Sequence, residues 1–152
     1  MKNIMIAMVM VLLCHTNINA QKIGADKVPA SVRDAFKTKF PTASSATWEI
    51  EKKDVYEVNF AIGKQKQAAQ FDKAGKWEKT EVEIETSQLP KAVAESFAKA
   101  YPGYKIKESE KVETATNKEL YELEAAKGND KIEVQLLPTG EIMKRETISS
   151  KD

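Results

Sequence analysis

One fourteen-residue phrase occurs twice in this chain, and it constrains the fold more than any other feature. Val28–Pro41 reads VPASVRDAFKTKFP, and Leu89–Pro102 reads LPKAVAESFAKAYP. Both follow the pattern apolar-Pro-x-x-Val-x-x-small-Phe-x-x-x-aromatic-Pro. Val32, Phe36 and Phe40 are four residues apart, as are Val93, Phe97 and Tyr101, and this spacing lines one face of a helix. Pro29 and Pro90 suit a first helical turn, where a missing N–H is no loss, while Pro41 and Pro102 oppose continuation. Each predicted helix has about 12 residues and runs roughly 18 Å. Burying its three anchors stabilises it by about 5–9 kcal/mol, against a backbone entropy cost of about 1–2 kcal/mol for every residue ordered. Such a helix needs a flat apolar surface to cover its one greasy stripe.

The residues after each helix supply that surface. Thr47–Lys52, Val55–Ile62, Lys66–Asp72 and Trp77–Glu85 read as strands, with Gly63-Lys64 and Lys73-Ala74-Gly75 as turns. Tyr56, Val58, Phe60 and Ile62 alternate with Glu57, Asn59 and Ala61, the clearest period of two in the chain. Trp77, Val82 and Ile84 do not share one parity, which predicts a bulge. After the second helix the strands are Tyr104–Thr114, Glu119–Lys127, Lys131–Leu137 and Glu141–Ile148. The helices align at an offset of 61 and the later strands at 65, which places four extra residues in or near Lys107–Lys118. The expected fold is therefore α+β: two tandem repeats, residues 21–86 and 87–152, each one helix packed on a four-stranded antiparallel meander sheet. A unit of roughly 60 residues is marginal alone, so the two pack together or continue one sheet across the pair.

Residues 1–20 read as a secretory signal peptide. Lys2 is the charged start, Ile4–Leu13 is the apolar run, and Ala20 is the small residue before Gln21. The run is too short for a comfortable membrane span, so no span is expected after signal removal and the location is periplasmic or secreted. Export changes the available chemistry, because Cys14 and His15 are the only cysteine and histidine and both lie in the segment removed. The mature stretch carries 23 basic and 23 acidic residues, a formal charge of zero. Gln21–Lys27 reads as a short mobile polar lead.

The residues VPASVRDAFKTKFP, the Trp48 strand, VYEVNF and FDKAGKW, with their later counterparts LPKAVAESFAKAYP, LYELEA and LLPTGEI, give a chain that resembles the PepSY-like family. The resemblance covers nearly the whole mature stretch. That family is grouped with the beta-lactamase inhibitor proteins, and in those inhibitors the resemblance implies an exposed sheet face and loops that bind an enzyme. This chain lacks the disulfides expected of that group.

Without a mature histidine or cysteine there is no Ser-His-Asp or Cys-His arrangement and no ordinary zinc or haem ligation. No Gly-rich phosphate loop is recognisable, and zero net charge with interrupted lysine runs gives no nucleic-acid footprint. No cofactor is expected. Asp72 reads as a turn former, since a calcium loop would need ligand spacing that is missing. Trp48 and Trp77 share phase with the apolar face and read as core. Glu49, Glu51, Glu57, Glu122 and Glu124 alternate with the apolar positions and read as a solvated face; a glycosidase-type acid pair among such residues is the minority reading.

The functional expectation is an exported, non-enzymatic binding module that engages a protein through its outward sheet face, as an inhibitor or a chaperone-like partner. The candidate contacts are Glu57, Asn59, Glu122 and Glu124, chosen by strand phase. The alternatives are a structural or envelope-maintenance protein without a discrete site and, behind it, a hydrolase using carboxylates alone.

Overall fold

The computed structural model describes residues 21–116 and 118–148. The expected signal peptide lies outside the described residues. The chain order is β1 (Gln21–Ile23), α1 (Ala30–Lys39), β2 (Ser44–Lys52), β3 (Val55–Ile62), β4 (Gln65–Asp72), β5 (Trp77–Glu83), α2 (Lys91–Ala100), β6 (Lys105–Thr114), β7 (Glu119–Lys127), β8 (Asp130–Leu136) and β9 (Ile142–Thr147). A single 3-10 turn precedes each helix, Ala25–Lys27 before α1 and Thr86–Gln88 before α2.

The expectation of two four-stranded sheets, each under its own helix, is overturned. All nine strands form one antiparallel sheet in the order β1-β2-β3-β4-β5-β6-β7-β8-β9. The cause is the seam between β5 and β6, where five residue pairs from Lys79↔Thr114 to Glu83↔Glu110 remove the edges at which two sheets would have ended. An unpaired edge leaves a row of N–H and C=O groups without strand partners, and joining these two strands satisfies both rows. The polar lead is also corrected: Gln21–Ile23 is strand β1, paired with Trp48–Ile50 of β2. Among the described residues there are two ten-residue helices beside nine strands, so the described part is mainly β.

Both helices lie on the same face. Residues opposite one another in a sheet point the same way, and the registers run Phe60↔Gln67↔Val82↔Lys111↔Tyr121 from one half to the other. Under α1, Val32 and Phe36 pack with Trp48, Val58, Phe60, Ala69 and Phe71. Phe36 is the hub, meeting the rings of Trp48, Phe60 and Phe71 edge-on at centroid distances of 5.4, 5.1 and 6.5 Å, the geometry the aromatic quadrupole favours. Under α2, Val93 and Phe97 pack with Tyr121, Leu123, Ile132, Val134 and Leu136. Trp48 is core, as its phase predicts. Trp77 is half-buried, donates its indole N–H to Thr80 at 2.9 Å and carries the Lys39 ammonium 3.7 Å from its ring centroid.

The turns bear out their chemistry. Asp72 accepts the N–H groups of Ala74 and Lys76 at 2.9 Å each, so it closes the β4–β5 turn. Gly75 (φ 85°) and Gly140 (φ 86°) sit where an added Cβ would lie 2.5 Å from the Ser31 and Ala92 carbonyl oxygens, so each turn is pressed against its helix. The bulge expected near Trp77 is present, between the pairs Gln70↔Lys79 and Phe71↔Trp77.

Candidate functional site

With both helices on one face, strand alternation sends the intervening polar side chains to the other. There they line an open hollow of about 720 Å³ that spans β2 to β9. Its lining holds ten glutamates and three lysines, with Asn59, Gln70 and Gln135 among them. The four residues expected from strand phase, Glu57, Asn59, Glu122 and Glu124, all line this hollow.

The hollow is built on two similar dyads. The Gln70 amide donates to Glu57 at 2.8 Å, and the Gln135 amide donates to Glu122 at 2.7 Å. Asn59 adds a second, longer donation to Glu57 at 3.3 Å. Each Glu and Gln stand directly opposite on neighbouring strands, β3 with β4 and β7 with β8. Between the dyads, at the β5–β6 seam, Lys79 pairs with the buried Glu81.

The seam gathers further acids. Carboxylate oxygens of Glu81, Glu110 and Glu122 all lie within 4.8 Å of one another. Burial pushes Glu110 up to about 8, with help from the charges of Glu81, Glu122 and Glu108. Burial likewise raises Glu81 to about 7, against the pull of Lys79. Burial works against the charge on Lys79, yet Glu81, Glu122 and Glu57 around it hold its pKa above the ordinary lysine value. Towards the outer edge, Glu108, Glu124, Glu133 and Glu146 stand directly opposite one another across four successive strands. Burial and the charges of Glu122 and Glu146 raise Glu133 to about 7, and burial with Glu108 and Glu122 raises Glu124. Lys144 offsets part of this row by pairing with Glu146 at 2.8 Å.

Like charges directly opposite in a sheet are destabilising, so this face is arranged at a cost to the fold. Chemically it can accept hydrogen bonds and cationic groups, and at neutral pH it carries protons that isolated glutamates would have released. Its three clustered carboxylates are of the type that binds hard cations through oxygen.

Reading by strand phase named Glu57, Asn59, Glu122 and Glu124, which line the hollow, and did not name Glu81, Glu110 and Glu133, which line it as well. Glu133 is opposite Glu124 in the β7–β8 hairpin, so the same parity rule reaches it. Glu81 and Glu110 come together only through the β5–β6 seam, which joins strands separated by α2 and carries no turn signal. Of the acids expected on a solvated face, Glu49, Glu51, Glu57 and Glu122 are half-buried and Glu124 is exposed, and Glu122 is the one that joins Glu81 and Glu110 at the seam.

One continuous antiparallel sheet with two helices on one face and a hollow, acid-lined polar face on the other defines a sheet-platform protein. A family model described as "Putative beta-lactamase-inhibitor-like, PepSY-like" matches residues 15–61 and 54–144, and the chain belongs to this PepSY-like family. No curated protein sequence matches the chain. Among solved structures it is similar to a DUF2874 family protein from Bacteroides uniformis, with TM-score 0.72 and 23% identity over 82% of this chain and 92% of that one. It is also similar to one of the "putative periplasmic proteins" of Bacteroides eggerthii, with TM-score 0.71 and 21% identity over 82% and 93% of the two chains. A BLIP-like protein from Bacteroides fragilis gives TM-score 0.65 and 21% identity over 82% and 89%. At these identities the likeness establishes the fold. Among the described residues, no helix is long and apolar enough to cross a membrane.

Proposed function

We propose that this chain is an exported, non-enzymatic binding protein that takes a protein partner on the hollow, helix-free face of its sheet, as an inhibitor or a chaperone-like partner. The observation that carries the reading is the row of directly opposed glutamates Glu108, Glu124, Glu133 and Glu146, held together at an electrostatic cost that packing alone does not require. A basic partner surface relieves that cost. The excess of glutamate over lysine in the hollow gives the partner's sign. Glu57, Asn59, Glu122 and Glu124 are the proposed contacts. The family description, "beta-lactamase-inhibitor-like", supports a protein as the ligand. The signal-like start and the periplasmic description of the Bacteroides eggerthii structure support a location in the periplasm.

The test is to capture partners from the envelope on the exported protein, and then to measure the affinity of the enriched partner for Glu57→Lys and Glu122→Lys. A loss of at least tenfold in both is expected; unchanged affinity in both removes the hollow as the contact face. One observation favours a second reading, the carboxylate-only hydrolase. Glu110, which burial holds protonated near neutral pH, has a carboxylate oxygen within 4.8 Å of one from Glu122, and two neighbouring carboxyl groups are what glycoside hydrolysis uses. Turnover in a glycoside screen that is lost on Glu110→Gln would establish it.

A further inference from the structure

Among the described residues the sheet ends at β1 on one side and at β9 on the other. β1 has three residues and β9 has six, so β9 is the long free edge. It is exposed along its whole length, and the exposed large apolar side chains of the described residues, Ile142 and Met143 (37% and 48% exposed), both belong to it. β9 lies on β8 as β5 lies on β4, with a bulge at the same step. The outer side of β5 is taken by β6, whereas the outer side of β9 has no strand of this chain against it. Ile148 gives its N–H inward to Lys131 at 2.9 Å. By the antiparallel alternation Glu146 and Lys144 also bond inward, and Met143, Arg145 and Thr147 turn their N–H and C=O groups out.

The charges on this edge alternate in sign. Natural edges are guarded against strand addition by charges, lysine above all, and a run of one sign repels its own copy. On the hollow side of β9, Lys144 is followed two residues on by Glu146, and the two pair at 2.8 Å. Glu146 also ends the row that holds Glu108, Glu124 and Glu133, so the next position outward from it is where a cation relieves that row.

We infer that β9 is a dimerisation edge, pairing antiparallel with β9 of a second copy about a two-fold axis at Arg145, so that one sheet runs through both chains. Opposed residues in a sheet point the same way, so the axis passes through a residue and not between two. Centring on Lys144 sets that lysine against its own copy, and centring on Glu146 sets that glutamate against its own copy beside Glu133; each is a like-charge pair directly opposite. Centring on Arg145 sets Lys144 opposite Glu146 twice and places Lys144 of the second copy at the end of the acid row. The outward groups of Met143, Arg145 and Thr147 then meet those of Thr147, Arg145 and Met143, all in β9. The one like-charge pair left is Arg145 with itself, on the helix side, where the guanidinium turns along its own strand to donate to the Thr147 hydroxyl at 3.2 Å. The contact is the same surface on both chains, so it closes at two, and the two hollows come to lie side by side on one face.

One short strand pair is a small interface of the weak class, so sedimentation equilibrium of the exported protein from about 10 µM to about 1 mM covers the range needed. The unaltered chain is expected to pass from monomer to dimer and to stop there. Lys144→Glu is expected to weaken the dimer by about tenfold or more, and Lys144→Glu with Glu146→Lys to restore it. Arg145→Thr is expected to tighten it, because it removes the like charges at the axis. A second measurement fixes the register. Residues 21–152 hold no cysteine, and an outward-bonded pair sets its Cα atoms about 5.5 Å apart, within a disulfide's span. Arg145→Cys is therefore expected to give an oxidised dimer on a non-reducing gel, and Thr147→Cys, far from its own copy, to give none at the same protein concentration. The inference is overturned if the unaltered chain stays monomeric throughout or grows beyond two. It is also overturned if the folded charge-reversed variant dimerises as well as the unaltered chain, or if Arg145→Cys cross-links no better than Thr147→Cys.

Discussion

Gln135 donates its side-chain amide to Glu122 at 2.7 Å across β7 and β8. This contact holds a carboxylate in place among other carboxylates, 4.8 Å or less from those of Glu81 and Glu110. A hydrogen bond of this kind contributes about 1–2 kcal/mol, more when the partner is ionised. Gln135→Ala is therefore expected to lower stability by about 1 kcal/mol, measured by urea denaturation. Gln70→Ala is expected to behave alike through Glu57, and a double-mutant cycle between Gln135 and Glu122 should return most of that energy as coupling.

The acids of the hollow set an unusual pH profile. Glu81, Glu110 and Glu133 titrate near 7 to 8 in the folded chain, against an ordinary 4.5. Between those values the folded chain holds more protons than the unfolded one, so the contribution of these groups to stability is complete below about pH 4.5 and is lost as pH rises through about 8. Thermal melts are expected to give a Tm several degrees higher near pH 5 than near pH 8.5. A Tm that climbs steadily over this range would contradict the electrostatics described for the seam.

Glu110→Gln removes one of the crowded charges while keeping its shape. It is expected to leave stability near pH 5 almost unchanged, because Glu110 is already protonated there, and to raise it by a few kcal/mol near pH 9. Chemical denaturation of both proteins at the two pH values separates this from a general packing effect, which would act equally at both.

The two glycines pressed against the helices are expected to be intolerant. At Gly75 and Gly140 an added Cβ would lie 2.5 Å from a helix carbonyl, and φ is +85° and +86°. Gly75→Ala and Gly140→Ala should each cost about 2 kcal/mol or more. Gly63→Ala, with φ +62° and open space around it, should cost about 1 kcal/mol. The ranking is read directly from denaturation midpoints.

Phe36 meets four aromatic rings at once, those of Phe40, Trp48, Phe60 and Phe71. Phe36→Ala is expected to destabilise by about 3–5 kcal/mol. Thr38→Ala, on the exposed side of the same helix, should change stability by less than about 0.5 kcal/mol, which makes it the control for helix propensity.

Most elements were legible in the sequence because their signals are local. Val55–Ile62 alternates cleanly and is followed by the Gly63-Lys64 turn, and the bounds read for Val55–Ile62 and Glu119–Lys127 are those of the strands. The proline-bracketed phrase placed both helices within two residues of their ends. What stayed hidden was long-range pairing. Lys79 and Thr114 are 35 residues apart with a helix between them, and nothing in either strand names the other as its neighbour. The same gap hid Glu81 beside Glu110, and so the most crowded part of the hollow. β1 was missed because three residues are too few to show a period.

The order of the strands in the sheet is the order of the strands in the chain. Apart from β2 on β1 and β6 on β5, where a helix intervenes, each step of assembly is the closing of a hairpin on the edge just formed. Most of the loops to be closed are short, and closure entropy sets the speed of such a process. A chain of this design can gain structure from its N-terminal end, with the acid-lined face completed only when the final hairpin arrives.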